Sequence, residues 1–390
     1  MNMALVERLG ARRTLARERP PFDCIALLLQ GGGALGAYQV GVYEALARAD
    51  LHPDWVAGIS IGAINSAIIA GNSPRYRVEQ LRNFWDLITA PHRNLTSFFK
   101  PRGDVARSFV NQFSAGLAAT LGVPGFFSPR SLSPWLQPAG APEAISYYDT
   151  SAMKTTLERF IDFDRLNSGD MRFSIGAVNV TTGNFVYFDN TTHMIGPEHV
   201  MAGAALPPGF PPIEIDGSHY WDGGLVSNTP LQWVLESEPR MDTLAFQVDL
   251  WSARGSLPRS MADVMTRQKE IQYSSRTRAN SDRFRQIQRI RNALSDLLDK
   301  IPGELRKSPE YAFLRPMAGR KVYNLVQLIY RSRQYEGGSG DYEFSRASME
   351  EHLRAGYQDT VRTLRHPEVL QRPESAEGVF TFDLAVNGRE

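Results

Sequence analysis

The sequence predicts a three-layer α/β fold around a mainly parallel central sheet. Two observations carry this. Short segments that are apolar at almost every position alternate with longer stretches of helical periodicity, the pattern of strands covered on both faces by crossover helices. Two of these strands also run straight into glycine-containing turns that open helices, as βα units do.

The first strand is the run Asp23-Cys24-Ile25-Ala26-Leu27-Leu28-Leu29. It leads into Gln30-Gly31-Gly32-Gly33-Ala34-Leu35-Gly36 and a helix with Leu35, Tyr38, Val42, Ala45 and Leu46 on one face. The second is Trp55-Val56-Ala57, which passes through Gly58-Ile59-Ser60-Ile61-Gly62 into a small-residue helix over 63–70. An insertion at about 91–147 follows. It is cap-like in composition, with Phe98-Phe99, Phe113, Leu117, Leu121, Val123, Phe126-Phe127, Leu132 and Trp135-Leu136 broken by prolines. Two readings fit it equally, a lid or acyl-chain groove beside a site, or an ordinary packed subdomain. A helix over 151–160 and strands at 172–180, 184–189 and 243–248 complete the alternation.

Three motifs carry chemistry. A serine between two glycines on a strand-to-helix turn is held in a tight backbone conformation with its hydroxyl exposed, so Ser60 reads as a nucleophile at a strand–turn–helix elbow. Gly58 and Gly62 leave room for the turn, and the amide of Ile61 lies at the start of the next helix, where an oxyanion would be stabilised. Gly31, Gly32 and Gly33 expose backbone N–H groups to an approaching anion. The same letters fit a dinucleotide fingerprint, Gly31-x-Gly33-x-x-Gly36, or a turn that merely permits close packing. The dinucleotide reading lacks an acid at the end of the second strand, since Asp54 precedes that strand. The third motif is Asp222-Gly223-Gly224. An aspartate there caps a turn or, with a serine elbow present, supplies the base that a serine nucleophile needs.

Together these residues resemble the patatin-like phospholipase family, whose pattern is a Gly-Gly-Gly-x-x-Gly loop, a Gly-x-Ser-x-Gly elbow and a later Asp-Gly-Gly or Asp-Gly-Ala. The stretch Ala202-Gly203-Ala204-Ala205-Leu206-Pro207-Pro208-Gly209-Phe210-Pro211-Pro212-Ile213 is similar to the family's proline-punctuated segment before the aspartate. The resemblance covers about residues 22–250. It implies a patatin-like fold and a lipid acyl hydrolase of the phospholipase A, lysophospholipase or carboxylesterase type. It also implies a Ser60–Asp222 dyad without histidine, no cofactor, and a lipid or ester as substrate. One departure is Leu35, where the family's loop often carries Arg or Lys. It removes a cation near the oxyanion and leans toward a neutral short-chain or polyester-type ester. The tail around Tyr342-Glu343-Phe344-Ser345-Arg346-Ala347-Ser348-Met349 resembles an extension in a bacterial subgroup, which implies a bacterial source. The expected organisation is an arm at 1–21, a catalytic domain at 22–250 and a basic, mainly helical extension at 251–390.

The rival catalytic arrangement is an α/β-hydrolase triad of serine, acid and histidine in that order. Of seven histidines, only His352 and His366 lie well beyond a plausible acid, and both read as exposed; His219 reads as a hairpin-loop residue. No zinc or calcium spacing occurs. Rivals of another class are a non-catalytic lipid- or surface-binding protein, opposed by the intact Ser60 and Asp222, and a dinucleotide-binding protein.

A 42% hydrophobic chain of 390 residues is long enough for one large core and a smaller unit. The single Cys24 excludes an internal disulfide, and its apolar strand suggests inert packing. No stretch reaches membrane-span length and no secretory apolar core follows the N-terminal charges, so cytoplasm is the expected location. The net charge of +1 hides an excess of +11 between Arg254 and Arg333, from 18 Lys and Arg against 7 Asp and Glu. Its basic helix, with Phe284, Ile287, Ile290, Leu294, Leu297 and Leu298 expected on the buried face, reads as a solvated surface or as a peripheral contact with an anionic membrane or granule. Nucleic acid is not expected, because no aromatic interleaving accompanies the charge.

Overall fold

Strand β1 (Cys24–Leu29) is buried at all six positions and lies at the centre of the sheet. The structure, a computed structural model, describes residues 19–89, 103–274, 277–332, 336–373 and 378–384. The proposed arm at 1–21 is therefore largely outside the described residues, as is the first part of the insertion with Phe98-Phe99.

After β1 come α1 (Ala37–Arg48), β2 (Trp55–Gly58), α2 (Ile61–Ala70) and α3 (Arg77–Thr89). The described insertion holds α4 (Asp104–Leu121) and the small pair β3 (Ser128–Pro129) and β4 (Tyr148–Asp149). Then follow α5 (Ser151–Phe160), α6 (Phe163–Asn167), β5 (Arg172–Asn179), β6 (Phe185–Asp189), α7 (Pro197–Gly203), β7 (Ile213–Ile215) and β8 (Ser218–Asp222). The chain continues through α8 (Leu231–Glu236), β9 (Thr243–Asp249), α9 (Met261–Tyr273), α10 (Thr277–Asp299) and α11 (Pro309–Leu314). It ends with β10 (Tyr323–Ile329), α12 (Arg346–Thr363) and β11 (Val379–Phe382).

Among the described residues nine strands form one sheet in the order β11-β10-β9-β1-β2-β5-β8-β7, with β6 pairing β5 off this path. The pairs from β11 to β5 are parallel; β6, β7 and β8 add antiparallel pairs. Side chains alternate along β1. Ile25, Leu27 and Leu29 pack with Tyr38, Ile64 and Ile68 of α1 and α2, while Cys24, Ala26 and Leu28 pack with Leu231 and Leu235 of α8 and Phe284 of α10. Both faces are covered, which explains why β1 carries no polar residue. The expected three-layer α/β class is the observed one. Burial pushes the Cys24 thiol up to about 12, as suits an inert packing residue.

The segment 251–390, expected as a mainly helical extension, also supplies β10 and β11 to the same sheet. Its α12 lies directly on α1. A Cβ on Gly41 would sit 1.9 Å from the Leu353 carbonyl oxygen and one on Gly356 2.0 Å from that of Tyr38, so two glycines set this close backbone approach.

Two expectations are corrected in this segment. Helix α10 buries Ser281, Phe284, Gln288 and Leu298, whereas Ile290 and Leu297 are exposed. The buried stripe accepts Gln288 because its amide donates to the Lys321 carbonyl at 2.9 Å and the Asn292 side chain at 3.0 Å. His352 is buried instead of exposed. Its ring lies 5.1 Å from that of Tyr330, with Nε2 3.8 Å from the Glu336 carboxylate. Among the described residues no helix is long and apolar enough to cross a membrane.

Candidate active site

The elbow forms where β2 ends. Ser60 takes φ 56° and ψ −128°, a region that non-glycine residues rarely adopt. Such a conformation costs about 1–3 kcal/mol and persists only where the surroundings enforce it. A Cβ on Gly58 would lie 2.2 Å from the Gly62 carbonyl oxygen, and one on Gly62 2.2 Å from that of Leu29, so the turn closes only with glycine at both ends. Gly36 packs on the Ile61 side chain just behind it.

Strand register brings the aspartate to the serine. Ala177 of β5 pairs with Val186 of β6 and also with Asp222 of β8. A strand has two edges, and β6 holds the one opposite β2, so β8 must continue the β2 edge beyond its end. Gly58 pairs with Ile175. Asp222 therefore falls two residues further along β5, about 7 Å, level with Ser60 two residues past Gly58. The segment before the proline run ties both backbones down: the Ser60 N–H donates to the Gly203 carbonyl and the Asp222 N–H to that of Ala205, each at 3.0 Å.

Asp222 is 1% exposed. Its Oδ1 accepts from the Gly224 N–H at 2.7 Å. Burial pushes its pKa from 3.8 up to about 7, with the Gly224 amide and the Ser60 hydroxyl pulling against the rise. Oδ2 is buried with no aligned donor among the described residues. The Ser60 hydroxyl thus lies near the carboxylate without a formed hydrogen bond, a looseness common in free enzymes. Exclusion of water around Asp222 is thus what brings its pKa toward neutrality.

The glycine loop is held by side chains that the motifs do not include. The Gly31 carbonyl accepts from Asn228 Nδ2 at 3.0 Å and Trp251 Nε1 at 2.9 Å. Gln30 donates to the Tyr273 carbonyl and to Thr229 Oγ1, both at 3.0 Å, and accepts from the amides of Leu250 and Trp251 at 2.7 and 3.0 Å. The Gly31 N–H makes a long bond of 3.4 Å to the Asn228 carbonyl. Gly31 is therefore engaged at both its carbonyl and its N–H with the segments that support the loop. Gln30 and Asn228 flank two of the motifs in sequence, and that adjacency was the only signal for them.

Gly31, Gly32, Gly33, Ser60, Ile61, Asp222 and Gly224 line one cavity of about 480 Å³. Gly36, Gly58, Gly62 and Gly223 stand behind it, Gly223 against the Gly176 carbonyl. Phe126, Phe127, Phe210 and Phe344 form an apolar wall, so the insertion and the C-terminal segment both contribute to the cavity. No histidine lines it among the described residues. His219, expected in a hairpin loop, lies exposed on β8, and His366, expected to be exposed, is half-buried beside Glu368. Asp54, the candidate ribose acid, accepts from the Ile25 N–H at 2.8 Å, at the opposite end of β1 from the glycine loop. Among the described residues no group of three acidic, His or Cys side chains is placed to hold a metal ion.

A family model described as patatin-like phospholipase matches residues 27–234, more than half of the chain. The chain belongs to the patatin-like phospholipase family. A second model, described as patatin phospholipase, matches residues 271–376 of this patatin-like protein. Among curated relatives, a patatin-like phospholipase domain-containing protein 7 from Rattus norvegicus is 30% identical over 29% of the chain and 8% of its own length. The human protein 6 of that name is 33% identical over 24% of the chain and 6% of its own. Lysophospholipase NTE1 from Candida glabrata is 25% identical over 62% of the chain and 11% of its own. The chain thus spans about a tenth or less of these relatives. Among solved structures, VipD from Legionella pneumophila is similar over 95% of the chain and 73% of its own, at 14% identity and a TM-score of 0.39.

Proposed function

We propose that this patatin-like protein is a serine acyl hydrolase of lipid carboxylic esters, with Ser60 as nucleophile and Asp222 as base. One observation carries the reading: the elbow serine and a buried aspartate with a pKa near 7 converge in a single, largely apolar cavity. A carboxylate with that pKa is half-ionised near neutrality and is a far better base than an exposed one. The printed names of the relatives, phospholipase and lysophospholipase, point to the same substrate class.

In this mechanism the Ser60 hydroxyl attacks the ester carbonyl carbon while its proton passes to Asp222 Oδ2. The amides of Gly32, Gly33 and Ile61 receive the developing oxyanion; one such donor contributes on the order of 10²–10³-fold in rate. Asp222 then protonates the departing alkoxide and leaves an acyl group on Ser60. A water enters, gives its proton to Asp222 and attacks the acyl carbonyl. Collapse releases the carboxylic acid and returns the proton to Ser60. The strained Ser60 backbone holds the hydroxyl in the cavity throughout, so little reorganisation accompanies attack.

Acid quenching during turnover of a p-nitrophenyl ester, followed by peptide mass spectrometry, tests this directly. The expected result is an acyl adduct on the peptide carrying Ser60. Turnover with no adduct on that peptide, under conditions where a burst of p-nitrophenol is seen, would rule out Ser60 as the nucleophile.

A further inference from the structure

The described lining of the Ser60 cavity includes two carboxylates and no Lys, Arg or His. One is Asp222. The other is Asp341, from the C-terminal turn Gly337–Tyr342. This turn lies across the glycine loop. A Cβ on Gly33 would sit 2.0 Å from the Asp341 carbonyl oxygen, and one on Gly340 would sit 3.4 Å from Cδ2 of Leu35. Leu35, 3% exposed, is thus capped by the turn that brings a carboxylate. Lys269 bonds both Asp341 oxygens at 2.9 Å and the Gly338 carbonyl at 3.1 Å, but it does not line the cavity. Burial raises the pKa of the cavity residue Tyr273, with the Asp222 and Asp341 charges adding to the rise, and burial also raises that of Asp341 against the pull of Lys269.

We infer that Asp341 is a specificity-determining residue that restricts the cavity to esters whose buried portion is uncharged or cationic. This rests on the acyl-hydrolase reading of the same cavity. An anionic group next to the scissile bond would meet Asp222 and the carboxylate side of the Asp341–Lys269 ion pair, with no cation among the described lining, and a buried charge without a partner is strongly disfavoured. Like charges across a contact also select against a wrong partner. The C-terminal segment thereby acts in substrate selection, through Asp341, as well as in completing the sheet.

The test uses uncleaved ligands, so that it does not depend on turnover. Ser60→Ala protein is titrated with N-phenylbutyramide and with its 4-carboxy derivative, by calorimetry. The neutral amide is expected to bind at least about tenfold more tightly. Adding Asp341→Asn should narrow the ratio to within about threefold, while Asp341→Glu should preserve it. Equal affinities in the parent, no binding of the neutral amide, or an unchanged ratio in a natively folded Asp341→Asn protein overturns the proposal. Selective binding in a chain whose wild type cleaves no ester would leave the role of Asp341 standing and refute the catalytic reading alone.

Discussion

Ser60→Ala is expected to lower kcat/KM for a soluble ester by on the order of 10³-fold or more, the loss seen when one member of a nucleophile–base unit is removed. In barrier terms this is about 4 kcal/mol. The fold should survive, because the backbone contacts of the elbow run through main-chain atoms: Ser60 N–H to Gly203, and the Ala63 N–H to the Ser60 carbonyl at 2.8 Å. A companion variant separates chemistry from strain. Ser60→Gly should be equally inactive yet more stable by about 1 kcal/mol, since glycine adopts a φ of 56° freely. Activity assays paired with thermal melts check both. An active Ser60→Ala protein with a native melt would remove the nucleophile from the account.

Asp222→Asn is expected to abolish hydrolysis while stabilising the protein at neutral and alkaline pH. The sign follows from burial. A carboxyl with a folded pKa raised from 3.8 to about 7 favours the neutral form when folded. Its contribution to stability is complete below about pH 4 and is lost as pH rises through about 7. A shift of that size corresponds to about 4 kcal/mol as an order of magnitude, at one pKa unit to ~1.4 kcal/mol. Asparagine keeps the acceptor for the Gly224 N–H and never ionises. The melting temperature of the variant should therefore match wild type near pH 4 and exceed it increasingly up to about pH 8. A wild type that stays as stable as the variant above pH 7 would mean that Asp222 is not a buried carboxylate with a raised pKa. The trade of stability for activity at one residue is a common feature of catalytic sites.

Much of the candidate site is legible in the sequence because its motifs impose local geometry. The tight turn at Ser60 and the apolar run of β1 are written in neighbouring residues. Asp222 is legible as a partner for Ser60 from the motifs and the resemblance, but the cause of their convergence is not, since it depends on β8 lying along the β2 edge of β5, across more than 150 residues of chain. The raised pKa of Asp222 was not legible at all, because composition says nothing about which carboxylate loses its water. The same holds for Gln30, Asn228 and Trp251, polar or aromatic residues whose bonds to the glycine loop exist only once distant segments meet.

The C-terminal segment shows a different kind of failure. Val322-Tyr323-Asn324-Leu325-Val326-Gln327-Leu328-Ile329 is largely apolar and rich in strand formers, a fair sign of a buried parallel strand. The basic helices before it are the more conspicuous feature of the sequence. Helix α10 misled in a second way, since its buried stripe runs through Ser281 and Gln288 and leaves Ile290 and Leu297 in solvent. Donation from its amide nitrogen to Lys321 and Asn292 lets a glutamine occupy the buried stripe, and hydrophobic spacing does not register such bonds. His352 differs for another reason: Glu350 and Arg354 beside it face solvent, while the ring turns into the core against Tyr330.

The most direct test of the Ser60–Asp222 unit is the rate at which a small, uncharged alkyl fluorophosphonate modifies the protein, followed by intact mass from about pH 5 to about pH 9. With Asp222 as the base, the rate should rise with pH, level off above a midpoint near 7, and vanish in Asp222→Asn protein. A rate indifferent to pH, or undiminished in a folded Asp222→Asn variant, would contradict the dyad.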